Sequence, residues 1–362
     1  ELAARRAGDD VKAEEYAATR LAIEDAMRVG NSAMLDYAAR LTTSRTGGGS
    51  GTPVKWIAAP GLVTATFFQH TNRNIDPQLH WHNVLLNRAR CTDGAWRALD
   101  GQDLLAQQHA LGAIADRVME EQLTALGFEF ELRPDGIARE LTVIDPAIAD
   151  LFSSRSRQVT ARVAQVLPEA EERLGRELTD LELHYLKREA ALSTRKAKSH
   201  EGETTDEMLE RWEAQVRANV GTSLNSVATR ITDQLADRTG ALALEDAEWS
   251  PSAVIAEAVA AVGQQRSTWG RADLMLEIAR RLPSLGGLDA ISTVEVLDRL
   301  TDHALASPEV QQVSGHLDHP ADLTAGLSSG TRSDPAGPDG VPTGTDTASS
   351  AGVGAGASTR RG

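Results

Sequence analysis

The hydrophobic period of this chain changes along its length, and that change restricts it to a fold mixing helices with strands. Residues 11–45 are alanine-rich. Leu21, Met27, Met34, Leu35 and Leu41 fall on one helical stripe there, and Glu14, Glu15, Glu24 and Arg28 face water. The loop TGGGSGTP at 46–53 has no apolar anchor. Segments 54–70 and 80–89 are short and rich in Val, Leu, Thr, Phe and Trp, and the polar stretch 71–77 separates them. That pattern predicts a strand, a turn and a strand, with a third short strand at 96–99 after the Asp93-Gly94 turn.

Helical spacing returns over 103–126 and ends at Gly127. Segments 128–132 and 138–143, joined by Pro134-Asp135-Gly136, read as a β-hairpin. Asp145 and Pro146 predict an N-cap and a first helical position. Helices are expected from there to residue 239, broken near Pro168, Gly175 and Gly202, and again over 252–306 with an interruption at 283–287. The expected organisation is a sheet-containing unit at 1–213, a helical connector at 214–248 and a small helical region at 249–320. The Gly-, Ala-, Ser- and Thr-rich segment 321–362 is too poor in apolar residues to offset its ordering entropy, and is expected to be disordered.

Composition excludes several classes. The chain has 362 residues, with 37 Lys and Arg against 52 Asp and Glu, a net charge of −15. An acidic average argues against nonspecific coating of nucleic acid, but a local basic groove is compatible with it. The single cysteine, Cys91, rules out an intrachain disulfide framework and a cysteine-rich zinc fold. No apolar run reaches the roughly 18 residues of a membrane span and no signal peptide is visible, so the expected location is cytoplasmic, with no membrane partner. The chain opens on Glu1 in a helical pattern, which reads as a piece of a longer protein.

Chemistry concentrates at the histidines. His80 and His82 flank Trp81 on a predicted strand, so period-2 alternation puts both imidazoles on one face. His70 ends the preceding strand. If the two strands pair, a third imidazole can reach the same point, and three neutral imidazoles suit a divalent metal ion (Mg, Mn or Zn). The bland alternative is a set of polar strand residues on a solvated face. Asp76, in the turn between, is either a partner for a metal-binding histidine or ordinary Asp-Pro turn chemistry. Arg73 in the same turn is a candidate for a nucleic-acid phosphate.

The stretch from His70 to Val84, HTNRNIDPQLHWHNV, resembles the three-histidine motif of TrwC/TraI-type conjugative relaxases, the MobF branch of the HUH endonucleases. Further stretches resemble that family in the same order: DGAWRAL at 93–99, SSRSR at 153–157 and ALSTRKAK at 191–198. QQRSTWGRADL at 264–274 is similar to the stretch leading into the helicase part of such proteins, but no G-x-x-x-x-G-K-[ST] loop follows. The resemblance implies an α+β fold: an antiparallel-sheet HUH relaxase core, here incomplete, followed by a helical region and the disordered tail. It also implies a metal on His70, His80 and His82, attack of a tyrosine hydroxyl on a phosphodiester, and single-stranded DNA at a transfer origin as substrate. Relaxosome and coupling proteins are the partners it suggests.

The family's tyrosine cluster and "SAPKS" strand have no counterpart here. Tyr16, Tyr37 and Tyr185 lie in helical segments and read as packing tyrosines, so the chain is expected to hold the metal-binding half of an active site and to lack the nucleophile. Residues 151–200 carry ten Lys or Arg against seven Asp or Glu, whereas 201–250 carry four against eleven. That contrast marks Arg155, Arg157, Arg195, Lys196 and Lys198 as candidates for contacts with the DNA backbone. The alternative reading is a catalytically silent, relaxase-like module that binds single-stranded DNA.

Overall fold

A computed structural model describes residues 1–47, 53–195, 202–238, 249–311 and 313. In chain order the helices are α1 (Leu2–Arg6) and α2 (Asp10–Leu41), then α3 (Gly101–Ala106) and α4 (Gln108–Ala125). Strands β1 (Thr43–Thr46), β2 (Lys55–Ala58), β3 (Thr64–Thr71), β4 (Pro77–Leu85), β5 (Ala89–Arg90) and β6 (Trp96–Arg97) lie between those helix pairs. The hairpin β7 (Phe130–Leu132) and β8 (Arg139–Leu141) follows. Next come α5 (Pro146–Leu151), α6 (Ser154–Leu174), α7 (Asp180–Ser193), α8 (Thr205–Val220) and α9 (Leu224–Arg238). The last three helices are α10 (Pro251–Gln265), α11 (Arg271–Arg281) and α12 (Ala290–Leu305). The fold is α+β.

All strand pairs among the described residues are antiparallel, as expected, and they form four separate two-stranded sheets. Helix α2 stops earlier than its period predicts. Thr42 is already extended, and Thr43–Thr46 pairs with Lys55–Ala58. The strand expected over 54–70 divides at Pro60-Gly61. Gly61 bridges Arg90 so closely that a Cβ there would fall 2.6 Å from the Arg90 Cβ. Pro168 does not break its helix. Its fixed φ is helical, and α6 continues through it to Gly175, which ends the helix in the left-handed conformation at φ 66°.

The core is built on α2 and α4. Leu41, Ile114 and Val118 are buried with Leu274, Met275, Ile278, Leu282 and Leu297 of the last helices. Residues 249–305, expected as a region apart, therefore share one core with the relaxase-like part. Tyr37 reinforces the junction, its hydroxyl donating to Asp298 at 2.8 Å while Arg271 donates to the same carboxylate at 2.8 Å. The loop between α11 and α12 is held by charge. Arg117, buried, donates to Glu120, to Glu121 and to the carbonyls of Leu282 and Pro283. Glu121 in turn accepts the backbone N–H groups of Leu285 (2.9 Å), Gly287 (2.9 Å) and Leu288 (3.3 Å). The expected disordered tail, 321–362, and residues 239–248 of the connector lie outside the described residues.

The crossing of α2 over α4 admits no side chain at Gly30, where a Cβ would sit 2.4 Å from the Ala115 carbonyl oxygen. Alanine adds about 1 kcal/mol of helix propensity over glycine, but overpacking costs about 1–3 kcal/mol, and a backbone atom cannot move aside as a rotamer does. Gly30→Ala is therefore expected to lower the urea-unfolding free energy, by up to about 2 kcal/mol. Gly112 on α4 has open space around it. Gly112→Ala, measured alongside, should instead raise stability by about 0.5–1 kcal/mol.

Candidate nucleic-acid interface beside a histidine ribbon

Strands β3 and β4 pair as the sequence predicts, with Phe67 opposite His82, Phe68 opposite Trp81 and Gln69 opposite His80. Facing residues of an antiparallel pair share a side of the sheet. His80, His82, Phe67 and Gln69 thus share the outer face. The two imidazoles stand edge to face, 4.9 Å between centroids, and His82 Nε2 meets Gln69 Oε1 at 3.2 Å. Their positions agree with the expectation from spacing.

His70 does not join them. It is one residue out of phase with Gln69, so its ring lies on the other face, 4.9 Å from Phe68 and with Nε2 3.9 Å from Glu24 of α2. The register slips between Gln69 and Thr71, but the slip leaves the histidine on the inner side. Among the described residues no group of three or more His, Cys, Asp or Glu side chains is placed to hold a metal ion. The residues as arranged are a pair of imidazoles, which does not fit the three-histidine site that the resemblance implies.

Asp76 faces neither ring. It is buried, and its Oδ2 accepts from Asn72 Nδ2 at 3.0 Å and from the Ser154 hydroxyl at 2.5 Å. Arg73 is exposed on the rim of a cleft of about 1350 Å³. One wall of this cleft is the turn (Asn72, Arg73, Asn74), and the opposite wall comes from α6 and α7 with Arg155, Lys187 and Arg195. Arg133, at the β7–β8 turn, also lines the cleft, but its guanidinium is paired with Asp135 at 2.7 Å and Glu140 at 3.2 Å; Asp135 is the sole carboxylate among the described lining residues. The floor is apolar, with Ile148, Phe152 and Val159. Cations over an apolar floor suit a chain of phosphates carrying flat bases.

The structure sorts the basic candidates. Arg155 lines the cleft, but its guanidinium closes the end of α7, donating to the Thr194 carbonyl at 2.8 Å, the Thr194 hydroxyl at 2.9 Å and the Ala191 carbonyl. It supports the segment that carries Arg195. Arg157 is outside the cleft lining and donates to the carbonyls of Asp150 and Leu151. Lys196 and Lys198 lie outside the described residues. Sequence reasoning missed Lys187 and Arg133. The Pro134-Asp135-Gly136 turn signals an exposed Arg133, but nothing local shows that it lines the same cleft as Lys187.

Residues 11–219 match the family model described as TrwC relaxase. This chain belongs to the TrwC relaxase family. Two curated relatives are both the multifunctional conjugation protein TraI of Escherichia coli. One is 29% identical over 118 residues, 30% of this chain and 6% of the relative. The other, from strain K12, is 28% identical over 153 residues, 40% of this chain and 8% of the relative. The chain thus spans less than a tenth of the length of these relatives. Among solved structures it is similar to the conjugative relaxase TrwC in complex with oriT DNA in its metal-bound form, at 24% identity and a TM-score of 0.46, over 55% of this chain and 65% of that one. TrwC complexed with a 27-mer DNA comprising the recognition hairpin and the cleavage site gives 24% identity and a TM-score of 0.42, over 54% and 65%. The match runs from the start of α2 to the end of α8 and includes the histidine ribbon and the cleft.

The split between the histidines of this relaxase-family chain is measurable by calorimetric titration with Mn²⁺ or Zn²⁺. With His80 and His82 as the only co-facial imidazoles among the described residues, His82→Ala should weaken whatever binding is seen by at least the ~10-fold that losing even a supporting partner costs. His70→Ala should leave it unchanged. Equal losses in both variants would show that the strands re-register to gather all three.

Proposed function

We propose that this chain is the DNA-processing relaxase part of a conjugation protein and holds single-stranded DNA of a transfer origin in the cleft between the 72–76 turn and α6–α7. The observation that carries this reading is the cleft itself. In a chain of net charge −15, Arg73, Lys187 and Arg195 line one apolar-floored groove next to the family's histidine motif, with Arg155 and Arg133 in the same lining held by backbone carbonyls and by carboxylates. Family membership supports the same reading. The likeness to TraI adds to it, but only over a small part of those proteins.

The nucleophile is a separate matter. Tyr16 is buried, with its hydroxyl 2.9 Å from that of Thr229. Tyr37 is buried and bonded to Asp298, and burial, with the Asp298 charge beside it, pushes its hydroxyl well above the ordinary tyrosine range. Neither is available to attack a phosphate. Tyr185 is exposed on α7, in a segment unlike the family's tyrosine cluster. We read the chain as gripping DNA without supplying the attacking hydroxyl. Burial of two of its three tyrosines therefore favours the alternative of a silent single-strand-binding module for this chain by itself. The divalent metal and the relaxosome and coupling proteins that the resemblance suggests stay outside what the cleft requires.

Binding is tested by titrating a fluorescent single-stranded oligonucleotide across a range of salt. Arg195→Ala should reduce the slope of log K against log salt by about 0.7, one phosphate contact on single strands. Arg157→Ala, whose donors are held by carbonyls away from the cleft, should leave the slope as it is. An unchanged slope in Arg195→Ala would remove that residue from the interface. Strand transfer is tested on a denaturing gel after incubation with labelled oligonucleotide and Mn²⁺. No covalent protein–DNA band is expected, and a band that disappears in Tyr185→Phe would identify a nucleophile within the chain.

A further inference from the structure

The turn that forms one wall of the cleft is strained and externally held. Ile75 has φ 60°, the left-handed region. For a β-branched residue that conformation persists only where the surroundings over-determine it. Part of the support is internal, since Asn72 Oδ1 accepts the N–H groups of Asn74 (2.8 Å) and Asp76 (3.1 Å). The rest arrives from helices far along the chain. The Ile75 carbonyl accepts from Trp212 Nε1 at 2.9 Å and from Arg211 at 3.2 Å, both on α8. The Ser154 hydroxyl, in the first turn of α6, donates to the buried Asp76 carboxylate and accepts from Asn74 Nδ2 at 2.9 Å. The indole is itself buried against Phe152, with ring centroids 6.2 Å apart.

These contacts join the two walls of the cleft. Asn72, Arg73 and Asn74 line one wall, and the helix that begins at Ser154 lines the other. We propose that Asp76, Ser154 and Trp212 are positioning residues, a clamp that sets the width of the cleft between the 72–76 turn and the start of α6. The proposal rests on reading the cleft as the single-strand site. None of the three needs to touch DNA. Loosening the clamp should therefore weaken binding while the number of phosphate contacts stays the same.

Because the salt slope counts cation–phosphate contacts, it reads whether the cations of the cleft keep theirs when the uncharged clamp residues are changed. The full chain and its variants are titrated with a fluorescein-labelled oligothymidylate at several salt concentrations. Trp212→Phe keeps an aromatic ring against Phe152 and loses only the donor to Ile75. Ser154→Ala loses the hydroxyl, and Ser154→Thr restores it. Trp212→Phe and Ser154→Ala should each weaken binding about 3- to 10-fold, the range for one lost hydrogen bond at a partly buried site, with parallel slopes. Ser154→Thr should lie within about twofold of the parent, since the hydroxyl partner is kept. Parent-like affinity in both loss variants overturns the clamp. A slope reduced by about 0.7 also overturns it, because it would mean that a cation had lost its phosphate, which a change of cleft width alone does not require. If the parent chain does not bind the oligonucleotide at all, the reading of the cleft fails, and the clamp falls with it. That outcome is distinct from a parent that binds as well as its variants.

Discussion

The close crossing of α2 and α4 at Gly30 is the contact on which the other layers depend. With no side chain at that position, the two helices approach until the Ala115 carbonyl and Met119 fill the space a Cβ would take. A second residue of α2, Asn31, then meets the ribbon, and its amide exchanges hydrogen bonds with Asn83 of β4 at 2.7 and 3.3 Å. One turn and a half further on, Tyr37 meets the C-terminal helices through Asp298. One helix thus fixes the histidine ribbon on one side and the last three helices on another. A glycine in mid-helix costs about 1 kcal/mol of propensity. The apolar surface buried at the junction, at about 1.5–3 kcal/mol per large side chain, outweighs that cost many times over.

Charge completes the junction that apolar packing begins. Arg117 and Glu121 are both fully buried, and isolated charges there would be strongly unfavourable. They are tolerated because each has several partners, although Arg117 Nε is buried without one. Arg117 reaches two carboxylates and two carbonyls, and Glu121 receives three backbone N–H groups from the 285–288 loop. Glu120, also buried, is drawn between Arg117 and Arg139, and burial still raises its carboxyl above the usual range. Such a cluster adds little net stability over apolar packing, but removing one member leaves the others uncompensated. It specifies which loop docks where, so the region after residue 249 is anchored to the same α4 that supports the ribbon.

The site shows how long-range contacts redistribute residues that look equivalent along the chain. Arg155, Arg157 and Arg195 lie in one basic segment, yet two of the three guanidinium groups are held by carbonyls, and Arg195 remains on the cleft. Asp76, which could have supported a histidine, instead bonds to Ser154 across 78 residues of sequence. In each case a donor or acceptor at a helix end or in a turn found a buried partner, and buried polar groups must be paired. The functional surface is what remains after those obligations are met.

Local period and turn chemistry determined much of this protein without help from the fold. They placed the helix over most of α2, the antiparallel pairing of β3 and β4, the β7–β8 hairpin, and the Asp145-Pro146 start of α5, where Asp145 accepts from the Ala147 N–H at 2.8 Å. They also put His80 and His82 on one face, because alternation within a strand is a local rule. Only the tertiary structure decided that His70 belongs to the other face. That depends on which residues of two strands stand opposite each other, and a shift of one residue reverses the face of every side chain. Only the tertiary structure joined residues 249–305 to the core of α2 and α4, and brought Trp212 and Ser154 to the Ile75 turn. Spacing along a chain reports the period of one element, whereas the partner of a buried carbonyl or carboxylate is settled only when distant elements close around it.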